Sequence, residues 1–337
     1  MAPQEPDVVD RGRYGTPANP WDDPRWRSAA LSWIESRLAA RGSRPTGPRR
    51  VRLRPWSVLV RTTVDGRGPV WFKAAPPAGA FEAGLTAALA GWVPDQVLAP
   101  LAVDTRRGWS LLPDGGALFR DVRDDGPPGP RAWEEPLRQY AETQRALVPY
   151  AARIGELGVP DGRAGALPGL FDRLVEANGA LDGAEKERLR AARPRLVEWC
   201  AELSETGIGD SLDHSDLHDG QFFAPKEGRY TFFDWGDALV GHPFSSLLVP
   251  LRTARERYGA EVLPRLRDAY LEPWTDAGRR TPVELRRAVD LACRLAAIGR
   301  ALSWGRLFAG PSEGAAESAY WLRELFAEPP VPARKTG

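Results

Sequence analysis

Hydrophobic and polar positions change their period along the chain, and this change divides the chain into two parts. In the first part, runs that alternate apolar and polar side chains predict strands, and runs with apolar residues at helical spacing predict helices. The predicted strands are 49–64, 69–75, 97–103 and 107–112, and the predicted helices are 23–42 and 81–89. The predicted order is therefore a leading helix, strands, a helix and further strands.

The second part begins after a cluster of turn-forming residues. Residues 113–116 read Pro-Asp-Gly-Gly, which predicts a hinge. Beyond it, helices are predicted at 131–150, 170–179, 183–204, 243–258, 262–272, 282–308 and 314–327. Pro194 is expected to kink or split the third of these helices. One strand-like segment, 221–234, interrupts the helices.

This division predicts an α+β protein with a small N-terminal lobe, built on an antiparallel sheet, and a larger, mainly helical C-terminal lobe. The first lobe, with its leading helix, spans 21–112, and the second lobe spans 117–327. Residues 1–20 and 328–337 have no periodicity and are rich in Pro, Gly and charge. We therefore expect both ends to be flexible tails.

Composition and charge exclude several classes of function. The chain has 46 basic and 45 acidic residues, so its net charge of +1 indicates no nucleic-acid partner. It contains no run of about 18 apolar residues and no signal-peptide core, so we expect a cytoplasmic protein without a membrane partner. Cys200 and Cys293 lie far apart in sequence, which favours two buried thiols over a disulfide or a zinc site.

All histidines of the chain lie in one short segment that is also rich in aspartate. The segment contains His214, His218, His242, Asp213, Asp216, Asp219, Asp234 and Asp237. It reads as a polar loop followed by a hairpin, and the two ends of a hairpin lie together, so Asp216, Gln221 and Asp234 should converge. Phosphoryl transfer needs a carboxylate to activate a hydroxyl and oxygen ligands to hold Mg²⁺. The sequence therefore favours this chemistry.

The run HSDLHDGQ carries a family resemblance. Gln221 follows Asp216 by five residues, and Asp234 follows thirteen residues later. This pattern resembles the catalytic loop and metal-binding Asp of protein kinases and, more closely, the corresponding loop of the aminoglycoside phosphotransferase family. The resemblance implies a protein-kinase-like fold and a kinase that uses ATP or GTP with Mg²⁺. It also implies that Asp216 is the catalytic base, that Gln221 and Asp234 are metal ligands, and that His214 holds the loop.

The resemblance extends into the first lobe. Lys73, in the run VWFKA, resembles the lysine that contacts the nucleotide phosphates, and Glu82 resembles its carboxylate partner. The alternatives are a strand-end lysine with its head in solvent and an exposed acid in a first helical turn. Leu112, at the entry to the hinge, is a further candidate for nucleotide contact. Trp235 takes the place of the Phe in the protein-kinase triplet, so it should pack beneath the loop.

Three residues of the segment keep more than one interpretation. His218 either stabilises the loop or lies near a phosphate, and His242, which precedes a proline, is expected to begin a helix. Asp237 either assists the metal or caps that helix.

Two departures from the family pattern keep a second hypothesis open. Gln221 stands where the family has Asn, and residues 52–63 contain no glycine that could form a phosphate loop. The alternative is therefore a nucleotide-binding, pseudokinase-like module without transfer activity. A metallophosphoesterase is a further alternative, because Asp216-Leu217-His218 and Gly236-Asp237 resemble parts of a two-metal signature.

The acceptor and the oligomeric state stay open. An antibiotic, a sugar, an amino alcohol or another small hydroxylated metabolite would all fit the chemistry. A polycationic aminoglycoside would need an acidic pocket. Acidic residues near the end of the chain that could supply this charge are Glu313, Glu317, Glu324 and Glu328.

Overall fold

A computed structural model describes residues 7–12, 20–122, 129–275, 280–307 and 313–328. The chain divides into two compact units, Met1–Gly116 and Ala117–Gly337. Most of both predicted tails, namely residues 1–6, 13–19 and 329–337, lies outside the described residues.

The first unit is built on one six-stranded sheet with the order β1-β2-β3-β4-β6-β5. The strands are β1 (Val8–Asp10), β2 (Pro45–Arg54), β3 (Ser57–Val64), β4 (Arg67–Ala74), β5 (Ala102–Asp104) and β6 (Trp109–Pro113), and the helices are α1 (Pro24–Ala39) and α2 (Phe81–Trp92). β1 pairs with β2 in parallel, and all other neighbouring strands are antiparallel. The predicted order of helix, strands, helix and strands is confirmed. Residues 8–10 correct the prediction of a tail over 1–20, because two adjacent β-branched valines pair along an open edge.

The core of the first unit forms where α1 covers the sheet. α1 begins after Asp23, whose carboxylate accepts a hydrogen bond from the backbone N–H of Arg25 at 2.8 Å. Its buried stripe includes Trp33, whose ring packs edge-on against Phe72 and Trp109 at centroid distances of 5.8 Å each. Such aromatic contacts add to the burial of apolar surface and hold the strand that carries Lys73.

The second unit is mainly helical. Its helices are α3 (Glu134–Leu147), α4 (Ala151–Glu156), α5 (Leu167–Ala177), α6 (Gly183–Glu205), α7 (Leu248–Tyr258), α8 (Leu263–Leu271), α9 (Pro282–Leu307) and α10 (Glu313–Glu324). The predicted split at Pro194 is wrong, since α6 continues through it. A capping box between Asp182 and Glu185 and a buried apolar face stabilise α6 strongly enough to offset one missing hydrogen bond. Among the described residues of both units, no helix is long and apolar enough to span a bilayer.

Two small sheets hold the His- and Asp-rich segment. The predicted hairpin is present as β9 (Phe222–Lys226) and β10 (Arg229–Phe232), which pair antiparallel. The expectation of a single strand-like segment is wrong, because β7 (Asp161–Gly162), β8 (Ser211–Asp213) and β11 (Leu239–Gly241) form a second sheet in the order β7-β11-β8. These strands have two or three residues each, too few to show a period. Asp213 pairs with Leu239, which brings the two ends of the segment together.

Candidate active site

The loop that follows β8 turns sharply at Ser215. Ser215 has a φ of 61°, in the left-handed region that is unfavourable for residues other than glycine. The buried carboxylate of Asp213 stabilises this turn, because it accepts hydrogen bonds from the backbone N–H of Ser215 at 2.9 Å and from its hydroxyl at 3.0 Å. Ser246 donates a third hydrogen bond to Asp213 at 2.7 Å. The backbone is thus held in the geometry that presents the next residue, Asp216.

His214 fastens this loop to the end of the hairpin. Its imidazole is fully buried, and Nε2 lies 2.9 Å from the carbonyl oxygen of Phe233. A carbonyl can only accept, so Nε2 donates the hydrogen bond. Burial lowers the pKa of His214, which keeps the ring neutral. The ring of Trp235 is also buried and lies 4.9 Å away, so the prediction that Trp235 packs beneath the loop is confirmed.

The two oxygens of Asp216 face different partners. Oδ1 lies 3.0 Å from Nη1 of Arg300, and Oδ2 accepts a hydrogen bond from the amide of Gln221 at 3.4 Å. Nε2 of His218 lies 3.8 Å from Oδ2. Burial raises the pKa of the Asp216 carboxyl, and the positive charge of Arg300 opposes this rise. A carboxylate with one oxygen paired and the other beside an amide can accept a proton from a hydroxyl.

The hairpin brings Asp234 to the same loop. The backbone N–H of Phe233 donates to the carbonyl of Gln221 at 3.1 Å, and His214 holds the carbonyl of Phe233. Asp234 is the next residue and has a φ of 67°. A left-handed aspartate is strained, and such strain is frequent at functional sites. The structure therefore brings the chain at Asp216, Gln221 and Asp234 together.

The donors in this loop fit a magnesium ion. Mg²⁺ prefers hard oxygen ligands and commonly binds one or two carboxylates, with water and substrate phosphate completing the shell. The carboxylate of Asp234 and the amide oxygen of Gln221 are ligands of this kind. Among the described residues, no group of three or more His, Cys, Asp or Glu side chains is placed to hold a metal ion.

The remaining polar residues of the segment have structural contacts. Nδ1 of His218 accepts a hydrogen bond from Gly220 at 3.0 Å, and Nδ1 of His242 accepts one from Phe244 at 3.2 Å and so caps the turn that leads to α7. Asp219 is buried and pairs with Arg257. Burial acts to raise the pKa of Asp219, but the neighbouring His218 ring and the paired guanidinium of Arg257 outweigh it and hold that pKa below its ordinary value.

In the first unit, Lys73 and Glu82 form a close ion pair. Lys73 lies on β4 between Leu59 of β3 and Ser110 of β6, and Glu82 lies in the first turn of α2. Lys73 Nζ and Glu82 Oε1 are 2.6 Å apart, with side-chain exposures of 12% and 8%. These exposures contradict the alternatives of a lysine head in solvent and an exposed acid. Leu112 lies on β6, paired with Trp71 of β4.

Sequence reasoning missed the roles of two residues in this site. Asp213 stabilises the turn at Ser215, and Arg300 pairs with Asp216 from α9. One signal could have pointed to the turn: the aminoglycoside phosphotransferase loop that HSDLHDGQ resembles contains a His-Gly-Asp run, and Ser215 takes the place of its glycine, so a left-handed backbone was to be expected there. The loop of Asp216 itself gives no indication of Arg300, which lies 84 residues away in sequence.

Comparison with known proteins identifies the fold. No family model and no curated protein matches the sequence. Among solved structures, a type I macrolide 2'-phosphotransferase has a TM-score of 0.58 at 17% identity, over 88% of this chain and 97% of that chain. An ethanolamine kinase from Plasmodium vivax has a TM-score of 0.59 at 11% identity, over 83% and 82%. The GDP and kanamycin complex of APH(2")-IIia has a TM-score of 0.56 at 16% identity, over 88% and 97%.

Structural similarity at such low sequence identity establishes the fold but not the substrate or the catalytic residues. The α+β architecture predicted from hydrophobic periodicity and from the HSDLHDGQ loop is confirmed. The chain therefore has the protein-kinase-like, two-lobed fold of the small-molecule phosphotransferases.

Proposed function

We propose that the protein is a small-molecule O-phosphotransferase that moves the γ-phosphate of ATP or GTP to a hydroxyl of an antibiotic or metabolite. The observation that carries the proposal is the position of Asp216. Its carboxylate lies on a tightly held loop, with Oδ2 beside the amide of Gln221 and with Asp234 at the end of the adjoining hairpin. The similar solved structures include phosphotransferases for macrolides and kinases for ethanolamine and choline, which support this class of acceptor.

In this mechanism the protein positions groups and stabilises charge. The acceptor hydroxyl donates its proton to Asp216, its oxygen forms a bond to the γ-phosphorus, and the bond between that phosphorus and the β–γ bridging oxygen breaks. When bound, Mg²⁺ neutralises the charge of the phosphates, and Asp234 and Gln221 would hold it. Lys73, fixed by Glu82, would contact the α and β phosphates. Leu112 would contact the nucleotide at the start of the hinge.

Both purine nucleotides remain candidates for the donor. Structures of similar fold contain GDP, which makes GTP a serious candidate beside ATP. Among acceptors, a polycationic aminoglycoside has less support, because Glu328 is already paired with Arg294 at 2.7 Å. The side chain of Glu313 lies outside the described residues, and Glu317 and Glu324 are half-buried. We therefore give priority to macrolides and amino alcohols.

The test is nucleotide consumption with Mg²⁺, run with ATP and with GTP, across macrolides, aminoglycosides, peptide antibiotics, nucleosides, choline and ethanolamine. Mass spectrometry of the acceptor identifies the phosphorylated product. The wild type is compared with Asp216→Asn. Asp210→Asn is the matched control, because Asp210 is also partly buried and arginine-paired, 3.4 Å from Arg163, but lies before β8.

Acceptor-dependent turnover that is lost in Asp216→Asn and kept in Asp210→Asn supports the proposal. Binding of nucleotide without turnover on any acceptor would instead support the pseudokinase-like alternative. Release of phosphate from a generic phosphomonoester, without added nucleotide, would support the metallophosphoesterase. Omission of Mg²⁺ in the same assay tests the requirement for the metal.

A further inference from the structure

A buried arginine on α9 reaches into the loop that carries Asp216. Arg300 is only 8% exposed. Its Nη1 lies 3.0 Å from Oδ1 of Asp216 and 3.4 Å from Oδ2 of Asp237, and it donates a hydrogen bond to the carbonyl of Ser215 at 3.1 Å. One guanidinium nitrogen thus joins both carboxylates and the strained turn of the loop.

We propose that Arg300 is a positioning residue that fixes the carboxylate of Asp216 for phosphoryl transfer, an inference that rests on the proposed function. Pairing of Oδ1 with Arg300 leaves Oδ2, beside Gln221, as the oxygen that faces the acceptor hydroxyl. A carboxylate held at one oxygen by a buried guanidinium has little rotational freedom. The reacting oxygen is therefore presented in one orientation, which is the main contribution a protein makes to this chemistry.

The same contacts assign a role to Asp237. Its Oδ2 faces Arg300 at 3.4 Å, and its Oδ1 lies 3.8 Å from Nη2 of Arg306. Both carboxylate oxygens are therefore directed at guanidinium groups of α9. Burying an arginine is costly unless its charge is balanced. Asp237 supplies part of that balance, so we assign it to anchoring Arg300 and not to holding Mg²⁺.

The backbone of α9 is shaped for this approach. Gly299, the residue before Arg300, lies directly against the loop: a Cβ at this position would be 3.2 Å from the hydroxyl oxygen of Ser215 and 2.6 Å from Cδ1 of Leu239. The absence of a side chain lets the helix come close enough for Arg300 to reach Oδ1 of Asp216. Gly299 therefore permits the close approach of α9, and Arg300 makes the contact with Asp216.

A second arginine of α9 shows what a purely structural contact looks like. Arg294 is 6% exposed, stacks on Trp199 and pairs with Glu328 at 2.7 Å. It also donates to the carbonyls of Leu325 and Ala327. The partners named here lie on α6 and in the C-terminal segment, and none of them lies in the loop of Asp216. Arg294 is thus a matched control: it resembles Arg300 in burial and charge, but it does not contact the loop of Asp216.

The experiment measures kcat, the KM of nucleotide and acceptor, and the melting temperature for Arg300→Met, Arg300→Lys, Asp237→Asn and Arg294→Met. We expect Arg300→Met to lower kcat about 10- to 100-fold while both KM values stay within about threefold. Arg300→Lys should recover part of the loss, because lysine keeps the charge but lacks the planar fork. Arg294→Met should lower the melting temperature and keep kcat within about twofold.

Chemical rescue separates positioning from folding. Millimolar guanidinium ion should raise the kcat of Arg300→Gly and leave that of the wild type unchanged. If Arg300→Met does not fold, Arg300→Lys and Asp237→Asn still test the inference through kcat. A kcat for Arg300→Met within about twofold of that for Arg294→Met would overturn it. Absence of turnover in the wild type on every acceptor would instead refute the proposed function, and the inference with it.

Discussion

The close approach of α9 to the loop predicts that Gly299→Ala lowers both stability and activity. Alanine is a better helix former than glycine by about 1 kcal/mol, so the substitution in isolation would stabilise α9. Here the added methyl carbon would lie 2.6 Å from Cδ1 of Leu239, about 1 Å inside ordinary contact distance. Leu239 is 3% exposed and has little room to move. The steric cost should therefore exceed the gain in helix propensity.

The magnitude follows from these two opposing terms. Overpacking a buried site by one carbon costs about 1 to 3 kcal/mol, so the net destabilisation should be about 0 to 2 kcal/mol. For a unit of this size, each kcal/mol lowers the melting temperature by about 2 to 4 °C. The added methyl also presses on the hydroxyl of Ser215, one residue before Asp216. We expect kcat to fall about tenfold or more, because misplacement of a reacting group by a fraction of an ångström is expensive.

Gly305→Ala is the matched control on the same helix. A Cβ at Gly305 would lie 3.7 Å from both Leu174 and Ser318, which is ordinary contact. This variant should be stabilised by about 0.5 to 1 kcal/mol and keep its kcat. Urea unfolding and steady-state kinetics measure both quantities. The reasoning is refuted if Gly299→Ala is as stable and as active as Gly305→Ala, or if the further substitution Leu239→Ala does not restore any of the lost activity.

Three further predictions concern other contacts. Lys73→Met should destabilise the protein by about 3 kcal/mol in urea unfolding, because it leaves the Glu82 carboxylate buried without its lysine. The double variant Lys73→Met with Glu82→Gln should recover part of that loss, and equal losses in the single and double variants would contradict this. Burial, with a smaller effect of Arg280, lowers the pKa of His242 from 6.5 to about 3, so the unfolded state binds more protons and stability falls as the pH drops below about 6.5. His242 should contribute about 2 kcal/mol to the loss of stability between about pH 7 and about pH 5, and His242→Asn, which keeps an acceptor for the N–H of Phe244, should lose less stability than the wild type over this range by that amount. Gln221→Ala should raise the Mg²⁺ concentration needed for half-maximal turnover by about tenfold or more, whereas Gln221→Asn should change it only a few-fold; equal Mg²⁺ dependence in all three proteins would count against a ligand role.

Sequence reasoning succeeded where a signal is local. The hairpin β9–β10 has two apolar runs around a turn, and its closure brings Gln221 beside Asp216. The contact between Lys73 and Glu82 was anticipated by resemblance and lies within a short stretch of one unit. Both features lie within a short stretch of the chain, so apolar period and turn chemistry predict the hairpin and a short motif indicates the ion pair.

Contacts between distant segments left no such signal. The sheet β7-β11-β8 joins strands of two or three residues from three separate parts of the chain. Strands this short show no alternation of apolar and polar residues, so the sequence does not reveal them. Asp213 reads as one more aspartate in a polar loop, and only the structure shows that it is buried and hydrogen-bonded to Ser215.

Arg300 illustrates why the chemistry of the loop could not be completed from the loop itself. Arginine is abundant in this chain, so an arginine in a helix carries almost no information. The informative neighbour is Gly299, because a glycine in the apolar stripe of a long helix lowers helix stability and must be offset by something. The structure identifies the compensation as close contact with the turn at Ser215. A glycine followed by an arginine in the buried face of a late helix is therefore the pattern that would have pointed, from sequence, toward a partner for Asp216.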